Sequence, residues 1–196
     1  MSTGLRTFTL PGWEVILGRD GLDRLINSFS CPVNAEVESF LKTKALQSAR
    51  LSASQTYLVC NDRTGLLLGY FTLLLKTYTV KAAILSSANR RLISRFSEVD
   101  SAGNFNAAVY LIAQIGKNFA IAKEAQIRGC DLIARAEEEF TAIRRRIGGK
   151  LVMVEREMDR PKLLGFYESN GFKSWTTRRN AKDGIVYDQM FSVLPT

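Results

Sequence analysis

Apolar residues recur along the chain at two periods, and each period marks a different kind of element. Over Asn34–Arg50, Val37, Phe40, Leu41, Ala45 and Leu46 fall at helical spacing with Asn34 as N-cap, which predicts an amphipathic helix. Gln55–Cys60 reads as a short strand and Leu66–Lys76 as a longer one. The turn chemistry of Asn61–Gly65 joins them into a hairpin. Ser86–Phe96 predicts a short helix. Asn106–Ile115 is nearly continuous in apolar residues, as a strand buried on both faces should be. A loop over Gly116–Ala125 leads to a long helix, Gln126–Ile147. Cys130, Ile133, Ala136 or Ala134, Phe140, Ile143 and Ile147 share one of its faces, and Gly148-Gly149 supplies the stop. Lys150–Glu155 is a strand. Asp159 then stands as the cap of a helix with Pro161 in its first turn, running to Ser169 and stopped by Asn170-Gly171. Phe172–Thr177 and Ile185–Val193 are the last strands, joined by a basic turn. This order predicts an α/β (α+β) fold: a mixed, mostly antiparallel sheet with helices on both faces.

Composition narrows the picture. The 196 residues contain no linker, repeat or low-complexity tract, so a single domain over residues 1–196 is expected. Apolar residues make up 46% and charged residues 23%, which excludes general disorder. With 27 basic and 19 acidic residues the net charge is +8, which favours nucleic acid, an anionic membrane or a phosphate-bearing cofactor. The chain has no histidine, and so no His-based triad, general base or metal site. Cys31, Cys60 and Cys130 lie far apart, which argues against a zinc site or a disulfide framework; no metal is expected. Met1–Leu10 lacks the apolar core of a signal peptide, and no apolar stretch is long enough to span a bilayer. The expectation is a cytoplasmic protein with no membrane segment.

Two segments carry candidate chemistry. The first joins the strand ending at Ile115, the loop Gly116-Lys117-Asn118, and the helix opening at Gln126-Ile127-Arg128-Gly129. A helix N-terminus suits a pyrophosphate. Gly129 would allow close backbone approach, and Lys117, Lys123 and Arg128 add positive charge. The same residues also read as an ordinary strand-to-helix connection. The second segment, Leu163–Phe172 (LLGFYESNGF), ends a helix with an aromatic pair and opens a strand with Phe.

With this second segment the chain resembles the GNAT superfamily of acetyl-CoA-dependent N-acetyltransferases. Phe166, Tyr167, Gly171 and Phe172 match that family's FYxxxGF-like phrase, and Gly129-Cys130-Asp131-Leu132-Ile133 looks like the close of its R/Q-x-x-G-x-G/A turn. Ile127 stands where that turn has its first glycine, and Glu124 where it has Arg or Gln. The resemblance spans Asn27 to Val193. Within it, Phe29-Ser30-Cys31, Phe40-Leu41, Thr56-Tyr57 and Gly69-Tyr70-Phe71 are similar to GNAT toxins of toxin–antitoxin modules, which acetylate aminoacyl-tRNA.

The resemblance implies a site. The strand ending at Ile115 would splay from Lys150–Glu155. Acetyl-CoA would be held by Ile115, Gly116, Lys117, Lys123, Gln126, Ile127, Arg128, Gly129 and Cys130, and Tyr167 would protonate the departing thiolate. The base stays open among Glu155, Glu98, Asp159 and a water wire from Gln114 and Ser/Thr groups. A weak base favours an α-amine, pKa ~7.7–8.0, over a lysine amine, ~10.4. Basic groups occur at Arg90-Arg91 with Arg95, at Arg144–Arg146, and at Arg178, Arg179 and Lys182. The last trio, on the acceptor side in GNAT enzymes, is the expected RNA contact. The preferred reading is an acetyltransferase acting on an RNA-linked α-amine, with tRNA or other RNA and an antitoxin protein as partners and room for a homodimer. The alternatives are transfer to a small-molecule or protein amine, and a non-catalytic GNAT-like binding module.

Overall fold

A computed structural model describes residues 4–195. Seven strands form a sheet in the order β1-β2-β3-β4-β5-β7-β6. They are β1 Leu5–Thr9, β2 Gln55–Asn61, β3 Leu67–Lys81, β4 Asn104–Lys117, β5 Leu151–Glu157, β6 Lys173–Arg179 and β7 Val186–Val193. The helices are α1 Leu10–Asn27, α2 Ala35–Thr43, α3 Ala45–Arg50, α4 Ser87–Ile93, α5 Gly129–Ile147 and α6 Pro161–Ser169. The β1–β2, β2–β3, β5–β7 and β6–β7 pairs are antiparallel, and β4–β5 is parallel. The mixed, mostly antiparallel α/β sheet is the one expected.

The chain divides into two compact units, Met1–Leu74 with Ile112–Ala136 and Leu75–Leu111 with Glu137–Thr196. In the first, Leu10, Trp13, Leu22 and Ile26 of α1 pack with Phe29, Val37, Leu41, Leu58, Leu67 and Tyr70 in one core. Leu67–Leu73 of β3 are all buried, so this half of the strand is covered on both faces. Asn34 caps α2 by accepting from the N–H groups of Glu36 and Val37. In the second unit β3 changes character. Tyr78 and Val80 are buried while Thr77, Thr79 and Lys81 are exposed, the alternation of a strand covered on one side. Tyr110 stacks on Phe140 of α5 at 4.8 Å, and Trp175 stacks on Phe191 at 4.3 Å. The parallel pairing of β4 with β5 covers only Val109–Leu111 against Leu151–Met153, short for strands of 14 and 7 residues.

Several predicted boundaries move. The helix expected over Asn34–Arg50 breaks at Lys44, whose φ of −123° ends α2 before α3 begins. The strand expected to end at Lys76 runs to Lys81. The long helix starts at Gly129 rather than Gln126. A 3-10 turn over Lys123–Ala125 precedes it, Gln126 is extended, and Ile127 is drawn into the core at 6% exposure. Asp159 is not the cap of α6. That position belongs to Arg160, which makes no side-chain cap bond and instead pairs with Glu157 at 2.7 Å. Strand β1 and helix α1 were not predicted. Pro11, Gly12, Gly18 and Gly21 dilute the helical pattern of α1, which kinks at Gly18.

Candidate functional site

In the first unit, the end of β4 is pressed against β3. A Cβ added to Gly69 would lie 2.7 Å from the Gly116 carbonyl oxygen, and one added to Gly116 would lie 2.6 Å from Val37 Cγ1. A larger residue at Gly69 would have to displace the β4 backbone, and one at Gly116 would have to displace the Val37 side chain. Asn118 then locks the loop. It is fully buried, and its Oδ1 accepts from the Ser30 and Ala120 N–H groups, both at 3.0 Å. Its Nδ2 donates to the carbonyls of Ser28 at 3.1 Å and Leu67 at 2.9 Å, and its backbone N–H reaches the Leu68 carbonyl at 2.7 Å. The amide therefore uses its full bonding capacity to fix the main chain that leaves Lys117. The sequence reading gave Asn118 no role.

The predicted phosphate-loop residues then follow in the same unit. Ile115, Gly116 and Lys117 are half-buried at the end of β4, and the Lys117 ammonium lies over the Phe119 ring at 4.8 Å. Lys123 is exposed in the 3-10 turn. Gln126 donates to the Ile121 carbonyl at 3.3 Å, and Ile127 is a core residue. Arg128 is exposed and forms a two-pronged pair with Asp131, at 3.0 and 2.8 Å. Its guanidinium holds the Asp131 carboxyl below the usual carboxylate range and neutralises part of the local positive charge. Gly129 and Cys130 are half-buried at the start of α5, where a first helical turn leaves N–H groups without intrahelical partners.

Tyr167 belongs to the second unit. The turn after α6 explains the phrase around it. Gly171, at φ 85°, lets the chain reverse so that the Phe172 N–H donates to the Tyr167 carbonyl at 3.0 Å. That reversal sets the Phe172 ring edge-on to Tyr167 at 5.7 Å, with Phe166 at 5.1 Å on the same side chain. Tyr167 is 6% exposed, and burial pushes its phenol up to about 12. The hydroxyl is thus protonated at neutral pH, and it has no hydrogen-bond partner among the described residues.

The candidate bases differ sharply. Glu155 accepts both Arg178 prongs, at 3.0 and 2.9 Å, and the Gln189 amide at 2.7 Å. Burial pushes its carboxyl up, but Arg178, Gln189 and the charge of Lys76 outweigh this and hold it below its ordinary value. It is an ionised structural acceptor with little basicity left. Glu98 and Asp159 are exposed, and Gln114 is half-buried in β4. Of the predicted acceptor residues, Arg178 is fixed by Glu155 and stacks over Tyr187 at 5.0 Å. Arg179 donates to the Gly184 carbonyl at 2.9 Å, and Lys182 is exposed in the turn between β6 and β7. Sequence reasoning also missed two polar networks on these strands. Arg156 pairs with Asp188 at 2.9 Å, both about 5% exposed, and Ser174 donates to the same carboxylate at 2.7 Å. Thr176 donates to Gln189 at 2.9 Å and meets the Tyr78 hydroxyl at 2.7 Å. A polar residue inside a strand gives no periodic signal of its partner on the next strand.

No family model matches the chain, and no curated protein does. Solved structures match it nearly end to end. AtaT complexed with acetyl-methionyl-tRNAfMet aligns over 93% of this chain and 93% of its own, at 18% identity and a TM-score of 0.63. The chain has the GNAT fold. A Tyr-to-Phe mutant of KacT aligns over 95% of each chain at 16% identity and a TM-score of 0.62. AtaTR bound with acetyl-CoA aligns over 95% of this chain and 93% of its own, at 16% identity and a TM-score of 0.57. At these identities the likeness is one of GNAT fold. Among the described residues no helix is long and apolar enough to cross a membrane.

Proposed function

We propose that the protein is an N-acetyltransferase, a single functional domain over residues 1–196, that moves the acetyl group of acetyl-CoA to an α-amine carried on RNA. The observation that carries this reading is Tyr167, a buried phenol held neutral in the FYxxxGF phrase with its hydroxyl unengaged. The GNAT fold supports it, since structures sharing that fold include AtaT with acetyl-methionyl-tRNAfMet and AtaTR with acetyl-CoA.

In this reading the pantetheine lies along the end of β4 at Ile115–Lys117, where the Gly69 contact and the Asn118 latch fix the backbone. The pyrophosphate sits at the start of α5, over Gly129 and Cys130, with Gln126, Ile127 and Arg128 leading into it and Lys117 and Lys123 adding charge. A neutral amine attacks the thioester carbonyl, and backbone N–H groups at Ile115–Lys117 stabilise the oxyanion. Collapse of the tetrahedral intermediate breaks the C–S bond; the Tyr167 hydroxyl gives its proton to the sulfur, and the proton shed by the acylated nitrogen leaves through water and restores the phenol. The chain has no histidine, and Glu155 is held ionised by Arg178, so the amine must arrive largely neutral. An α-amine, pKa ~7.7–8.0, meets that need better than lysine. Arg179 and Lys182, with the preset Arg178, face the RNA that carries it. An antitoxin protein and a second copy of the chain are partners of the same reading, and the setting is cytoplasmic.

Incubating the protein with radiolabelled acetyl-CoA and, separately, aminoacyl-tRNA, total protein and a polyamine panel tests this. Label on aminoacyl-tRNA, stable to removal of the amino acid from the RNA, is expected. Label only on protein or polyamine would move the acceptor elsewhere. No transfer and no CoA binding would make the fold a binding module.

A further inference from the structure

Beside α4, in the second unit, lies an open groove of about 490 Å³ lined by Ser87, Arg90, Arg91, Ser94, Glu98 and Val99 with Phe105 beneath. Its cations are uncommitted. Arg90 and Arg91 are exposed, and neither forms an ion pair among the described residues. Arg95, also exposed, follows α4, its guanidinium near the Phe96 ring at 5.9 Å. The stretch that supplies Glu98 and Val99 is tied down by hydrogen bonds. Val99 bridges to Phe105, and the Asp100 carboxylate accepts from the Ala102 and Asn104 N–H groups at 2.9 Å and from the Asn106 amide at 2.8 Å. Those bonds consume Asp100 inside its own turn, which leaves Glu98 as the acid that lines the groove. Exposed Val99, at 49%, adds an apolar shoulder beside the two guanidiniums.

Unpaired arginines beside a hydroxyl (Ser87) and an apolar shoulder suit a chain of phosphodiesters with sugars between them. A net charge of +8 points the same way. We infer that the α4 groove is a second backbone-phosphate contact for RNA, separate in sequence from Arg178–Lys182. The inference rests on the reading of an RNA-borne acceptor but concerns only how the RNA is held.

Fluorescence anisotropy with labelled, deacylated tRNA and the full chain, repeated across salt concentrations, tests it. Arg90→Ala/Arg91→Ala is expected to flatten the slope of log K against log[salt] by roughly 1.4–1.8, at ~0.7–0.9 for each phosphate no longer neutralised. Glu98→Gln is expected to tighten binding. Arg145→Ala/Arg146→Ala, an equal change of charge at the exposed end of α5, should leave the slope unchanged. An unchanged slope in the Arg90/Arg91 variant, or an equal flattening in the Arg145/Arg146 control, would overturn the groove. Acetyl transfer to aminoacyl-tRNA is measured on the same samples. A flattened slope without transfer by the wild type would retain the groove and remove the acetyltransferase reading; transfer with an unchanged slope would do the reverse.

Discussion

The loop held by Asn118 and the strands β5–β7–β6 fix polar groups by opposite chemistry. Asn118 is neutral, and all four of its side-chain bonds go to main-chain groups. The strands instead hold side chains to side chains through charge, in Arg156–Asp188 and Glu155–Arg178. The first arrangement fixes a backbone path and responds little to salt or pH. The second fixes the direction of guanidinium groups and depends on carboxylates staying ionised. The difference matches the demands of the proposed function: a co-substrate bound largely by main-chain N–H groups needs a rigid backbone, whereas a polyanionic acceptor needs cations set in place.

Substitutions probe that contrast. The largest effect is expected at Asn118. Asn118→Leu leaves the buried Leu67 carbonyl without its donor and frees three part-buried main-chain groups, the Ser30 and Ala120 N–H and the Ser28 carbonyl, so stability should fall by about 3 kcal/mol or more in denaturant titration. A loss under about 1 kcal/mol would mean that the loop is held by something else. Asp188→Asn comes next. It leaves the Arg156 charge, about 5% exposed, without its counter-ion and should cost about 3 kcal/mol by the same measurement. Arg178→Ala is the mildest, because its pair is partly exposed; about 1 kcal/mol or less is expected. Its signature is instead in pH. The folded Glu155 carboxyl is held below its ordinary value, so it contributes stability that is present above the unfolded pKa of ~4.3 and lost as pH falls through the folded one. In Arg178→Ala that acid-side loss should shrink, which melting curves from pH 7 down to pH 3 would show. An identical acid limb in both proteins would detach Glu155 from Arg178.

Much of this was legible in the chain. The apolar run in β4, the Gly171 reversal and the FY phrase each reported a local requirement, and each lies where the pattern put it. What escaped was long-range or diluted. Asn118 bonds to residues 51, 88 and 90 positions away, and no local spacing encodes that. Helix α1 hid behind Pro11 and its glycines. The start of α5 slipped because burying Ile127 keeps Gln126 extended, a tertiary demand that overrides helical periodicity. Of the residues expected to hold phosphate, Ile127 is buried in the core and Arg128 faces Asp131, a pairing that no local spacing signals.

The proposed chemistry turns on Tyr167 handing a proton to the leaving thiolate, and single-turnover acetyl transfer by Tyr167→Phe is the decisive measurement. The Phe variant keeps the packing against Phe166 and Phe172, so its melting temperature and acetyl-CoA affinity should hardly change. The transfer step should slow by ~10²–10⁴-fold, about 3–5 kcal/mol of barrier. In the wild type the rate should rise with pH to a plateau above the amine's pKa of ~8, with no falling limb from the phenol until about pH 12. Near-normal transfer by the Phe variant, in a protein that melts normally, would contradict this role and leave Tyr167 a core residue.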